Sequence, residues 1–281
     1  MSALARESRG PVRRRDRRGY AMVIALLSTL SALAMITVML ERQMTQRLAA
    51  ARQVEAYQRH HSAKGFQELI DSWLKSLGGQ SLASMISDGD VVLTLDLGNG
   101  LTATVSFADA QGSVLASPAG LSGQDYLDAR AMRTFLPRGA RDPALPPLTR
   151  EVGPLAVSMR SAPPEVLEAA FSAVAGPTGA REFAQRLLTI RAETPVQQSD
   201  LAKTGIALSL PGEVRARLSE VLVPEPSLWF VTVEIRGGLT DELVAREGGH
   251  IVVARRSGRS RSQAIWEKSS SFLTWRKLPI Q

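Results

Sequence analysis

Few side chains in this 281-residue chain are equipped for covalent or metal chemistry. There is no cysteine, so no thiolate is offered to a metal or an acyl group, and no disulfide staples the fold. The three histidines are His60 and His61, adjacent in a helix-forming stretch, and His250, alone in the distal part. A histidine-based metal centre or general base needs partners, and His250 has only Gly248-Gly249 beside it in the sequence. No serine sits in a nucleophile-elbow pattern. Asp88, Asp90, Asp125, Asp128 and Asp142 lie in and just ahead of a proline-broken stretch, and loop carboxylates of this kind can hold calcium. They do not follow the twelve-residue calcium-loop spacing, so they read as solvated loop charges. The chain is expected not to be an enzyme; calcium stays open as a cofactor, with no ligands assignable.

The bond that invites chemistry is one that another enzyme would cut. Arg13-Arg14-Arg15-Asp16-Arg17-Arg18-Gly19 stands directly before an uncharged apolar run from Tyr20 to Leu40. With Arg6 and Arg9, all seven leader arginines fall on the N-terminal side of that run, and Glu41 and Arg42 are the first charges beyond it. About 20 apolar residues at 1.5 Å each match a bilayer core of ~30 Å. Basic flanks stay in the cytoplasm, which exports everything after Leu40. Three readings share this topology. One is an uncleaved signal anchor. Another is a secretory signal cut after Ala32-Leu33-Ala34. The third is a prepilin-type signal, cut on the cytoplasmic side after Gly19, with Tyr20 as the new N-terminus and the apolar helix retained for packing through Ile24, Leu27, Leu30 and Leu33.

Charge agrees with a topology signal. The chain carries 34 basic and 27 acidic residues, a net +7; the leader before Tyr20 holds seven of the basic and two of the acidic ones, leaving a surplus of only two after it. A nucleic-acid footprint would put the excess on the folded part.

The elements that must carry these features follow from periodicity. Glu41 to about His60 contains no proline or glycine, so the apolar helix is expected to continue as a stem from Tyr20 to about residue 60, ~60 Å long. Phe66, Leu69, Ile70, Trp73, Leu74 and Leu77 form a second helical stripe, ended by Gly78-Gly79. Val91 to Leu97 and Leu101 to Phe107 alternate as strands around Gly98-Asn99-Gly100. A three-residue loop would pair Leu97 with Leu101 and Val91 with Phe107, placing all eight apolar side chains on one face. The turn glycines then serve geometry rather than a phosphate. Prolines 118, 137, 143, 146, 147 and 154 break the next stretch around a short helix near Tyr126 to Phe135. Ser161 is expected to cap a helix carrying Val166, Leu167, Ala170, Phe171 and Val174, ended by Gly176-Pro177. Helices follow over Ala180 to Ala192, around Ser199-Asp200-Leu201 and over Pro211 to Leu222. Strands return at Trp229 to Arg236, Ile251 to Arg255 and Ser262 to Glu267, with Arg255, Arg256, Arg259 and Arg261 decorating a solvated hairpin.

Strands before and after a helical block predict an α+β fold: a long N-terminal transmembrane and stem helix, then an antiparallel-sheet domain with a helical insertion. The expected divisions are a leader over 1–19, a transmembrane and stem helix over 20–62, the first part of the α/β domain over 63–157, a helical insertion over 158–223, and completing strands over 224–281.

Three stretches carry a resemblance. They are Leu155-Ala156-Val157-Ser158-Met159-Arg160-Ser161-Ala162-Pro163-Pro164-Glu165-Val166-Leu167, then Arg191 to Leu201 with Pro195 and Ser199-Asp200-Leu201, then Ser227-Leu228-Trp229-Phe230-Val231-Thr232-Val233. Together with Arg18-Gly19 and the long stem, they resemble the minor pseudopilin K family of type II secretion. Ser158 and Arg160 stand where that family has asparagines. The resemblance implies a pilin-like domain, a place at the tip of a pseudopilus, initiation of filament assembly and support of export from the periplasm. It further implies other minor pseudopilins and the prepilin peptidase as partners, a methylated new N-terminus, a single pass through the bacterial inner membrane, and no nucleic-acid partner. Most pilins carry a glutamate five residues into the processed chain, which neutralises a neighbour's amine inside the membrane. Here the fifth residue from Tyr20 is Ile24. A capping subunit has no neighbour beyond it, and an unpaired carboxylate in lipid is costly. The alternative is a minor pilin-like or single-pass anchored periplasmic protein with a helix-hairpin-helix-like, nucleic-acid-binding segment at Gly176-Pro177-Thr178-Gly179, where proline removes one amide donor.

Overall fold

The structure is a computed structural model that describes residues 17–78, 81–86, 89–139, 142, 145–237, 241–259 and 264–280. For residues 17–19, 21, 54–55, 58–59, 255–259 and 264–269 it describes the backbone alone. The leader arginines before Arg17 lie outside the described residues, as do Gly79, Asp88, Pro143, Gly238, Arg261 and Ser262. The chain divides into two compact units between Ser62 and Ala63.

Arg17–Ser76 form one unbroken helix, α1. The expected end near residue 60 and the separate helix from Phe66 are both corrected by it. No proline interrupts the join, and the single Gly65 costs only about 1 kcal/mol relative to alanine. Beyond Ala63 the helix is held by packing: Phe66, Ile70 and Leu74 are buried, with Trp73 and Leu77 beside them. Gly78, at φ 56°, follows its last turn.

Strands β1 (Val91–Gly98) and β2 (Leu101–Asp109) form the expected hairpin with a different loop. Asn99 and Gly100 both have positive φ, 55° and 74°, so the turn has two residues and is of the primed kind. A two-residue turn alone would throw the apolar rows onto opposite faces. A register shift between Asp96 and Gly98 undoes this, so Leu95 faces Ala103 and Leu93 faces Val105. A second shift after Val91 pairs it with Ser106 rather than Phe107. Val91 and Leu97, at the two shifts, are consequently exposed instead of sharing the buried face.

The main sheet is antiparallel throughout, ordered β1-β2-β7-β8-β10, with β9 also paired to β8. Its later members are β7 (Leu228–Gly237), β8 (Glu242–Arg259), β9 (Ala264–Phe272) and β10 (Arg276–Lys277). β8 starts well before the expected Ile251 because β7 templates residues whose charges and glycines hide the strand. Gly249 has a steric reason: a Cβ there would lie 1.9 Å from the Thr274 carbonyl oxygen. The sheet packs on the end of α1 and on the short α2 (Leu82–Met85), with Phe107, Trp229, Val231, Val233 and Ile251 in the core.

Between β2 and β7 the chain builds a helical block with its own core. It comprises β3 (Val114–Leu115), α3 (Gly123–Phe135), β4 (Thr149–Arg150), β5 (Val157–Ser158), α4 (Pro164–Ala175), α5 (Ala180–Glu193), α6 (Gln198–Ala207), α7 (Gly212–Val221) and β6 (Leu222–Val223). β3 pairs β4 and β5 pairs β6, both parallel. Val114, Ala129 and Met132 already belong to this core, which is centred on Val166, Leu167, Phe171, Phe183 and Leu187. β2 and β7 pair directly, from Leu101–Gly237 to Asp109–Trp229, so the block is an insertion into an α+β sheet. The expected Ser161 cap is corrected: Pro163 is the N-cap, extended at φ −67°, ψ 160°. The residue before a proline is steered away from the helical region, so the helix cannot begin before Pro164. Ser161 is instead packed under Gly112, where a Cβ would lie 2.4 Å from its hydroxyl oxygen.

Candidate functional site

The first half of α1 is the feature with no internal structural use. Met22–Gln53 is long and apolar enough, by length and composition, to cross a membrane, and its most apolar stretch is wholly unburied. Tyr20 is 78 % exposed and Ile24 64 %. Leu27, Leu30 and Leu33 are exposed as well. Spaced by three, these side chains do not share one stripe. At about 100° per residue Ile24 and Leu33 face opposite ways, so the apolar surface surrounds the helix. The hydroxyls within the span are satisfied by the helix itself. Ser28 donates to the Ala25 carbonyl at 2.9 Å, Ser31 to Leu27 at 2.7 Å and Thr37 to Leu33 at 2.9 Å. No hydroxyl of this trio needs water, which is what a hydrocarbon environment requires. Arg17, Arg18, Gly19 and Tyr20 are helical in backbone. Gly19 has the weakest helical preference among them, so unwinding for a protease costs least there.

Two of the acidic residues that raised calcium, Asp125 and Asp128, have another use. Asp125 and Asp128, one turn apart on α3, converge on Arg217 of α7. The guanidinium meets Asp125 Oδ1 and Asp128 Oδ2, each at 2.6 Å, and also Glu220 Oε2. Gln124 Nε2 donates to the other Asp128 oxygen at 2.7 Å, so that buried carboxylate is fully bonded. Burial works against the Arg217 charge, but the three carboxylates outweigh it and hold the guanidinium above its ordinary value. The cation among these carboxylates is thus a side chain. Among the described residues no cluster of three histidine, aspartate or glutamate side chains is arranged to hold a metal ion.

A second polar cluster ties the sheet to the insertion through residues of the Leu155–Leu167 stretch. Buried Gln111 is its hub: Nε2 donates to the Ala156 carbonyl at 2.8 Å, while Oε1 accepts from the amides of Ser227 (2.7 Å) and Leu228 (3.0 Å). Ser158 Oγ donates to Asp109 Oδ2 at 2.5 Å. Arg160 donates to the carbonyls of Ala83 and Ile86, and Arg191 to that of Ala162 at 2.7 Å. Arg150 is buried, with Nη2 donating to the carbonyls of Pro154 and Ala156. Burial pushes its guanidinium down to about 10, against a favourable Asp109, so it stays a cation at neutral pH. Ser158 and Arg160 therefore both carry structural bonds. Nothing in the sequence flagged Gln111 or Arg150. The Asp125/Asp128 spacing was the one available hint of a shared cation.

His250 lies in β8. Its Nδ1 is 2.9 Å from Thr274 Oγ1, and its ring stands edge-on to Phe230 at 5.1 Å. Burial lowers its pKa, as do the charges of Arg276 and Arg150, with Glu151 opposing. The α4–α5 hairpin turns at Gly176 and Gly179, both at positive φ, around Pro177, which has no amide donor.

The arrangement is that of an α+β protein with a long, apolar and unburied N-terminal helix. No family model matches the chain, and no curated protein matches it. Among solved structures it is similar to a chain of the GspK-GspI-GspJ complex from the enterotoxigenic Escherichia coli type 2 secretion system, at 12 % identity and a TM-score of 0.40, over 81 % of this chain and 100 % of that one. A likeness of that size carries no functional weight.

Proposed function

We propose that this chain is a minor pseudopilin that caps a type II secretion pseudopilus, initiating filament assembly and supporting export of proteins from the periplasm. The observation that carries this is the N-terminal junction: a basic leader, Gly19, then a helix apolar on all sides, with Ile24 where a filament-body subunit has a carboxylate. Prepilin peptidase cuts after Gly19, and Tyr20 becomes the N-terminus. Ile24, Leu27, Leu30 and Leu33 then pack against neighbouring apolar helices inside the inner membrane, and the folded part stands in the periplasm. The absence of a carboxylate suits the first subunit, which has no amine beyond it to neutralise. The role is binding and mechanical rather than catalytic. The other minor pseudopilins and the prepilin peptidase are its partners, and no nucleic-acid partner is proposed.

Detergent extraction of the full chain from secreting cells tests this. The minor pseudopilins are expected to co-purify with it in fixed proportion. Recovery of the chain alone, from cells that are assembling pseudopili, would exclude the tip assignment.

A further inference from the structure

Three arginines of the helical block gather around one hollow. Arg130 and Arg133 lie one turn apart at the end of α3, and Arg138 follows in the segment after it. With Leu136, Leu148 and Thr149 they line a cavity of about 610 Å³. The three arginines are exposed, and none of their guanidiniums has an ion-pair or hydrogen-bond partner among the described residues. Three other arginines of the block are engaged: Arg217 by three carboxylates, Arg150 and Arg191 by backbone carbonyls. Among the described residues no acidic side chain lines the hollow. The two carboxylates of α3 itself, Asp125 and Asp128, are held by Arg217 and do not turn back toward it.

Helix-dipole compensation accounts for part of this. A cation in the last turn of a helix faces unsatisfied carbonyls, and Arg133 sits there. Arg138 lies beyond the helix and gains nothing from the dipole. Three like charges around one concavity raise one another's free energy, and an arriving anion relieves that repulsion. Guanidinium groups take carboxylates two-pronged, and Leu136 and Leu148 add an apolar wall that a bare oxyanion would not use.

We propose that this hollow docks an acidic segment of a protein partner, a short stretch of chain presenting two or three carboxylates interleaved with apolar side chains. The size of the cavity exceeds what one phosphate group fills. A lipid surface or a nucleic acid would meet a broad basic face, whereas here three arginines converge on one hollow, in a chain whose surplus after the leader is two. The inference goes beyond the pseudopilin reading and does not depend on it, because cleavage after Gly19 and occupancy of this hollow are separate measurements.

The test uses the full chain in uncharged detergent micelles. The probe is a fluorescein-labelled hexapeptide alternating glutamate with leucine, read by anisotropy at low salt. Binding is expected to weaken about tenfold or more when Arg130, Arg133 and Arg138 are all changed to Gln. It is expected to persist when Arg181, Arg276 and Lys277, exposed elsewhere, are changed to Gln instead. A peptide with glutamine for glutamate is expected not to bind. Equal loss in both triple variants would overturn the proposal in favour of diffuse charge. Displacement by inorganic phosphate, at concentrations where chloride of equal ionic strength has no effect, would overturn it in favour of a simple oxyanion site. Binding to phosphatidylglycerol vesicles through the same arginines, without peptide binding, would overturn it in favour of a lipid surface. All three arginines are exposed, so unchanged circular dichroism of the variant is expected to confirm that the loss is local.

Discussion

Changing Arg217 to Met isolates what the α3–α7 ion cluster contributes. The substitution keeps most of the side-chain length and removes the charge. Asp125 is 52 % exposed and Glu220 66 %, so their pairs with Arg217 contribute about 0–1 kcal/mol each. Asp128 is different, being 2 % exposed and left with Gln124 alone. Removing one partner of a buried pair costs about 3–5 kcal/mol, and the 22 % exposure of Arg217 argues for the lower end. We therefore expect a loss of about 3 kcal/mol, which for a domain of this size lowers Tm by ~6–12 °C. Near-ultraviolet circular dichroism of the full chain in detergent measures it. Adding Asp128→Asn to Arg217→Met removes the stranded charge while keeping the Gln124 bond, and recovers most of the loss. A shift under 2 °C for the single variant, or a double variant no more stable than the single, would refute the argument that the buried carboxylate sets the cost.

Three further outcomes follow from the same geometry. Gln111→Leu keeps the volume but strands the amides of Ser227 and Leu228 at the entry to β7, so a loss of ~2–4 kcal/mol is expected in urea unfolding followed by tryptophan fluorescence. Gly249→Ala drives a methyl into the Thr274 carbonyl, and thermal melts are expected to show a cost of ~1–3 kcal/mol as the segment crossing β8 is displaced. Because the His250 pKa is lowered in the fold, the unfolded chain binds more protons below its ordinary 6.5, and stability falls as pH drops through that value towards the folded one. Tm measured from pH 7.5 down to 5.5 is expected to decline, and to decline less in His250→Gln.

The parts of this protein legible in its sequence are those fixed by period and by breakers. The apolar run from Tyr20, the stripe through Phe66, Ile70 and Leu74, and the helices from Pro164 onward follow from residue spacing alone. The middle of the hairpin does too, since Leu93 and Leu95 could only face Val105 and Ala103 to share a core. What was not legible depended on partners distant in the chain. The two bulges that release Val91 and Leu97 are local compromises between a primed turn and the sheet register. α1 passes residue 60 because packing of Phe66 and Ile70 sustains it, not because the join has high propensity. The early start of β8 needed β7 as a template. Asp125 and Asp128 looked like solvated loop charges because Arg217 lies far along the sequence, and Gln111 gave no signal because Ser227 and Leu228 are just as distant.

The central claim is that Gly19 ends a leader and Tyr20 begins the working protein. Mass spectrometry of the intact chain, purified from membranes of cells with and without an active prepilin peptidase, addresses it directly. A chain beginning at a modified Tyr20 is expected when the peptidase is present, and a retained leader when it is absent. A leader retained in both, or a chain cut after Ala34, would contradict it.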